Sequence, residues 1–218
     1  MNRRSLVIAT GAIALSVFGA AAFWSGRNGS SIPSTPRPVE GDALVRPHSP
    51  IMGPAEAPVT IVEFFDPSCE ACRAFYPIVK QIMDAFPGKV RLVIRYTPLH
   101  EGSDEAVRIL ETARLQGRFV PVLEALLARQ PEWAVHGAPN LRLAWDVARA
   151  AGLDVDRARR EMNLPAITAT LEQDVADVRA NGVNRTPTFF VNGKPLTSFG
   201  PRQLFDLVRT EVERLSAS

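Results

Sequence analysis

Cysteine is scarce in this sequence: two in 218 residues, at positions 69 and 72. A small exported scaffold held together by disulfides needs several dispersed cysteines, so that class is excluded and any core must hold without a long-range bridge. Histidine is scarce too, with His48, His100 and His136 standing singly along the chain. A closed zinc site usually takes four ligands, so two neighbouring cysteines without a histidine pair beside them give no expectation of a metal. Charge of one sign is also lacking. The formal balance is +2, with 25 basic and 23 acidic residues, and removing Arg3 and Arg4 with the first segment brings it to zero (2 − 2). No basic face for nucleic acid is required by such a balance.

Long hydrophobic runs are confined to the start. Arg3 and Arg4 precede an uncharged stretch from Ser5 to Phe23, with small residues at Ala20, Ala21 and Ala22. A basic end, an apolar middle and a small-residue site describe an export signal. Nineteen uncharged residues also suffice to cross a hydrocarbon core of roughly 30 Å, so residues 1–25 read as a signal peptide or a membrane anchor. Either reading puts the folded part in the periplasm or another space outside the cytoplasm. Residues 26–50 are rich in proline, serine and glycine and read as a linker, with Leu44 to Arg46 able to add a short edge strand.

Beyond the linker the pattern becomes regular. Val59 to Phe65 is β-branched, aromatic and almost wholly apolar, as suits a central strand covered on both faces. Asp66-Pro67-Ser68 stops it. From Cys69 the apolar residues Phe75, Ile78, Val79, Ile82 and Phe86 recur at helical spacing up to Pro87-Gly88, with Pro77 placed to kink the helix. Val90 to Tyr96 reads as a second strand, giving a parallel βαβ unit. Helical spacing then marks Ser103 to Gln116, Phe119 to Arg129, Leu141 to Ala151, Asp156 to Met162 and Ala166 to Ala180. Thr188 to Val191 is a strand, Asn192-Gly193 a hairpin turn, Lys194 to Thr197 the returning strand, and an amphipathic helix closes the chain. A βαβ half and a ββα half are thus separated by about 80 helical residues. Trp133 and Trp145 read as core.

The chemistry lies where the central strand meets its helix. Cys69-Glu70-Ala71-Cys72 puts one thiol at a helix N-terminus, where unpaired N–H groups and the helix dipole lower its pKa from the usual ~8.5. Cys69 is therefore the nucleophile and Cys72 the residue that resolves a mixed disulfide. Glu70 opposes this, since a neighbouring negative charge disfavours a thiolate. An inert local disulfide is the bland alternative. On strand alternation alone, Glu63 could simply face solvent. His100, following the second strand, could border the site, though a lone surface histidine is the simpler reading.

Strand, Cys-x-x-Cys, helix, helical insertion and then Thr186-Pro187-Thr188-Phe189-Phe190-Val191-Asn192-Gly193 together resemble the thioredoxin superfamily, and within it the DsbA-like oxidoreductases. Gly53 to Thr60 and Pro98-Leu99-His100 are also similar to that family. The resemblance implies an α/β thioredoxin fold with an inserted all-helical domain: residues 51–98 the first half, 99–183 the insertion, 184–218 the second half. It implies Pro187 as a cis-proline facing the dithiol, the Thr186 backbone as a substrate-binding edge, and Glu63 as a buried acid that takes the Cys72 proton. It further implies a protein thiol–disulfide oxidoreductase that needs no cofactor. Its partners would be exported proteins bearing thiols or disulfides and a membrane redox partner that recycles the pair. The dipeptide Glu70-Ala71 departs from the Pro-His of strongly oxidising members, and Thr186 is also similar to isomerase and reductase branches, so the direction of exchange stays open. The stretch before the domain is too short for the dimerisation module of the isomerases, and a monomer is expected. Two other classes compete: a periplasmic copper-handling protein using the two thiolates, since soft ligands suit Cu(I), and a peptide-binding module without turnover.

Overall fold

A computed structural model describes residues 44–217. The signal or anchor segment expected at residues 1–25, and most of the linker, lie outside the described residues. Among those described, no helix is long and apolar enough to cross a membrane.

Five strands form one mixed sheet: β1 (Ile51–Met52), β2 (Val59–Phe65), β3 (Val90–Tyr96), β4 (Thr188–Val191) and β5 (Lys194–Pro195), in the order β1-β3-β2-β4-β5. β2 lies at the centre, parallel to β3 and antiparallel to β4, with Glu63 opposite Ile94 on one side and Phe189 on the other. That place explains its composition, because a strand flanked by partners and covered on both faces has little use for polar side chains. The edge strand falls at Ile51–Met52, antiparallel to β3, whereas Leu44 to Arg46 forms a turn-rich approach. Leu44 is nonetheless buried, packed with Val62, Phe64, Val93 and Phe190. The hairpin is as short as its sequence suggests: Asn192 (φ 47°) and Gly193 (φ 80°) both adopt left-handed backbone, as a two-residue primed turn requires. The returning strand is confined to Lys194–Pro195 and does not run to Thr197, although Leu196 N–H still donates to the Phe189 carbonyl at 2.9 Å.

Helix α1 (Glu70–Ala85) follows β2 and runs through Pro77, burying Cys72, Phe75, Tyr76, Val79 and Ile82 against the sheet. Between β3 and β4 come α2 (Ser103–Leu115), α3 (Phe119–Ala128), α4 (Gln130–Trp133), α5 (Leu141–Ala150), α6 (Val155–Glu161) and α7 (Pro165–Ala180), and α8 (Pro201–Ser216) ends the chain. Trp133 and Trp145 are buried in the core.

An ionic clamp joins the helical insertion to the sheet. Arg95 on β3 is fully buried, and its Nη2 donates to Asp174 Oδ1 at 2.7 Å and Asp177 Oδ2 at 2.6 Å, both on α7. Asp174 Oδ2 also accepts the Tyr96 backbone N–H at 2.8 Å. A buried cation is tolerated only when its donors are met in this way. Arg95 thus faces a helix and not water.

Candidate active site

The end of β2 and the start of α1 create the site. Cys69 is the N-cap residue of α1, in extended conformation (φ −79°, ψ 122°), and no side chain caps that helix end. The backbone N–H groups of Ala71 and Cys72 are left to stabilise a charge on Cys69 Sγ. Across the gap, Cys69 Sγ lies 3.3 Å from the carbonyl oxygen of Thr186. The Thr186–Pro187 peptide bond, just before β4, is cis. Cys69 and Cys72 are both free thiols, and Asp66 N–H donates to Cys72 Sγ at 3.5 Å.

The two sulfurs are electrostatically unlike. Hydrogen bonding from the Cys72 thiol, more than any other influence, pulls the Cys69 pKa from 9.0 down to about 5; burial, which leaves Cys69 5% exposed, opposes the fall, and Thr186 and the helix N–H groups add to it. Cys72 is fully buried. Burial first, then its hydrogen bond to Cys69 and the charge of Glu63, push its pKa far above the ordinary thiol range. The Thr186 hydroxyl oxygen is buried and has no hydrogen-bond partner among the described residues, so its proton is free to turn toward a Cys69 thiolate. Thr186→Val keeps the shape and removes that donor. The Cys69 midpoint should then rise by about one unit, as thiolate absorbance during a pH titration would record.

Glu63 settles beneath the dithiol and not in solvent, at 1% exposure. Burial, reinforced by the negative charge of Cys69, raises its pKa to about 8 against the opposing hydrogen bond from Cys72. Its Oε1 has no partner among the described residues. A carboxyl in that state can give or take a proton near neutrality.

Four further residues hold this junction, and of them only His100 stood out in the sequence as able to border the site. Asp66, read as a strand stop, is fully buried and accepts from Ser68 N–H and Ser103 Oγ on one oxygen and from Leu99 N–H, His100 N–H and His100 Nδ1 on the other. Gln130, from the helical insertion, donates through Nε2 to the carbonyls of Pro67 and Cys69 at 2.8 and 3.0 Å. Nothing local in sequence could reveal that reach across more than 60 residues. His100 and His136 correct the expectation of isolated histidines, for their rings lie 5.4 Å apart. His136 Nε2 also stands 3.1 Å from Glu70 Oε1. The Glu70 charge therefore has a partner and does not act on Cys69 unopposed, as its place in the motif suggested.

A family model described as Thioredoxin matches residues 46–208. The chain belongs to the thioredoxin superfamily. Within it, the fold of this chain is interrupted by helices between β3 and β4. A thioredoxin-like oxidoreductase from Silicibacter pomeroyi DSS-3 is 34% identical, with a TM-score of 0.69 over 83% of this chain and 99% of that one. BdbD from Bacillus subtilis, in its oxidised form, shares the fold at 24% identity and a TM-score of 0.67, covering 76% of this chain and 93% of its own. So does alpha-DsbA1 of Wolbachia pipientis, at 18% identity and a TM-score of 0.69, over 78% and 94%. Among curated relatives, the Na(+)/H(+) antiporter NhaA of Herminiimonas arsenicoxydans is 34% identical over 146 residues, 67% of this chain but 22% of that protein. The chain spans about a fifth to a third of the length of the curated relatives it matches. Superfamily and dithiol together support thiol–disulfide exchange as the general activity.

Proposed function

We propose that the protein works outside the cytoplasm as a DsbA-like oxidoreductase that passes a disulfide from Cys69 and Cys72 to other exported proteins. One observation carries the reading: Cys69 sits at the open start of α1 with Thr186 facing it, where its thiolate is stable. Stabilising that thiolate favours the reduced pair, and so favours taking two electrons from a substrate dithiol.

A substrate thiolate attacks Cys69 Sγ of the oxidised pair. The new S–S bond forms as the Cys69–Cys72 bond breaks, and Cys72 leaves with a proton supplied by neutral Glu63. The second substrate thiolate then attacks the substrate sulfur, and Cys69 departs as a thiolate. The substrate has lost two electrons and the pair has gained them. A low-pKa leaving group speeds this last step. A membrane redox partner would return the pair to the disulfide.

Substrate binding follows the same geometry. The Thr186 backbone, at the start of β4, offers hydrogen bonds to an extended segment in the manner of strand addition. Leu99, Val135 and Phe199 are each about half exposed, and Phe199 stacks on Phe75 of α1 at 4.6 Å. Such apolar side chains suit an unfolded polypeptide.

Trapping tests the proposal. With Cys72→Ala, Cys69 should remain covalently joined to exported client proteins through bonds that a reductant cleaves. Recovery of no such adducts would refute the reading. The reduction potential separates the directions: a value near the about −120 mV of strong dithiol oxidants supports donation, and one near about −270 mV supports reduction.

A further inference from the structure

The dispersed histidines conceal a constellation on the rim of the dithiol site. His100 lies on the loop after β3, His136 on the loop between α4 and α5, and Glu70 in the first turn of α1. One ligand atom from each lies within 4.8 Å of those of the other two. Metal bonds of about 2.0–2.2 Å would set tetrahedral ligand atoms about 3.3 Å apart. The His136–Glu70 pair already stands at 3.1 Å, and both side chains are more than half exposed, free to adjust.

A second observation points the same way. Asp66 is fully buried behind His100, and its Oδ2 accepts the His100 Nδ1 proton at 2.7 Å. Four other donors hold the same carboxylate in place: the backbone N–H groups of Ser68, Leu99 and His100, and Ser103 Oγ. With Nδ1 committed to Asp66, the lone pair available for a metal is on Nε2. Buried carboxylate, histidine, then an open outward nitrogen is the support a metal-bound imidazole usually has. An exposed Glu70–His136 contact alone calls for no such backing. A cleft of about 200 Å³, lined in part by Ser68, His100, Ala134 and His136, gives an ion a route in.

We propose that Glu70, His100 and His136 form a site for one divalent ion of the zinc class, distinct from both sulfurs. Two imidazoles and one carboxylate suit borderline transition metals better than Mg²⁺ or Ca²⁺, which prefer oxygen throughout. Three protein ligands leave coordination positions open to water, so the site belongs to the exchangeable kind and not the closed structural kind. An ion there would join the first turn of α1 to two loops of the helical half.

The test uses the full chain in its disulfide form, in which neither sulfur is a thiolate ligand. Failure of the metal site would then leave the exchange chemistry untouched, and the reverse also holds. Titration with zinc chloride, followed by calorimetry, should show one saturable site. His136→Ala and Glu70→Gln should each weaken it by at least about tenfold. Zinc should shift the imidazole proton resonances of His100 and His136 but not those of His48, which is held by Asp174 on another part of the fold. Both variants lie at exposed positions, and an unchanged thermal unfolding curve would establish that they fold. Absence of saturable binding, equal affinity in folded variants, or resonance shifts confined to His48 would each overturn the proposal.

Discussion

Cys69→Ser is expected to bring thiol–disulfide exchange down to background, and with it the capture of substrates. Serine cannot form a disulfide, and Cys72 cannot take over. Cys72 is wholly buried and its thiol is held protonated by burial and by Glu63, so no nucleophile remains at the surface of the site. Cys72→Ala behaves differently. The nucleophile survives, so Cys69 can still attack a substrate disulfide and release one substrate thiolate, and with no Cys72 to resolve it the product accumulates as a mixed disulfide. Turnover of a dithiol peptide and capture of a thiol-reactive probe, measured on both variants, check the asymmetry. Substrate adducts forming through Cys72 in the Cys69→Ser protein would contradict it.

Glu63→Gln is expected to slow the step that moves a proton to or from Cys72 by about 100-fold, the usual scale of a positioned acid–base group. The clean measurement starts from the protein carrying glutathione on Cys69 and follows release of glutathione as Cys72 attacks. Cys72 must lose its proton to attack, so Glu63 is needed as the carboxylate. The rate should therefore rise with pH as Glu63 ionises. In the resting protein that carboxyl has a pKa of about 8, raised by burial first and by the Cys69 charge second. The mixed disulfide removes the Cys69 charge but not the burial, which places the inflection below about 8 and above the ordinary carboxyl range. Glutamine matches the shape without titrating, so the variant should fold, run slowly and lose the inflection. An unchanged rate with an unchanged pH profile would remove Glu63 from the mechanism.

The parts of this molecule legible in the sequence are those fixed by near neighbours. β2 was visible because a strand covered on both faces must be apolar, and α1 because its buried face repeats every three to four residues. Asn192-Gly193 announced its hairpin through backbone conformations that few other residues adopt. The Cys69-x-x-Cys72 spacing, set at the junction of those two elements, located the dithiol for the same reason.

Contacts that span the helical insertion were not legible. Gln130 reaches the carbonyl of Cys69, Asp66 gathers donors from residues 68 to 103, and Arg95 meets Asp174 and Asp177, each pairing set by how helices pack on the sheet and not by any local period. His100 and His136 belong to this group. Thirty-six positions apart, they looked solitary because nothing in a linear pattern records that two loops converge beside α1. Glu70 shows the functional consequence: read from its neighbours in the chain it is a lone negative charge beside the nucleophile, whereas the fold supplies His136 to face it.

Acidity of a single sulfur underlies the whole account. The direct test is to titrate the reduced full-length protein, with a metal chelator present, and follow thiolate absorbance with pH. Cys69 should ionise with a midpoint near pH 5, leaving it almost fully ionised at neutral pH, where an ordinary cysteine of pKa ~8.5 is only about 3% so. A first midpoint between pH 8 and 9 would mean that the helix start, Cys72 and Thr186 do not stabilise the thiolate, and the proposed chemistry would fall with it.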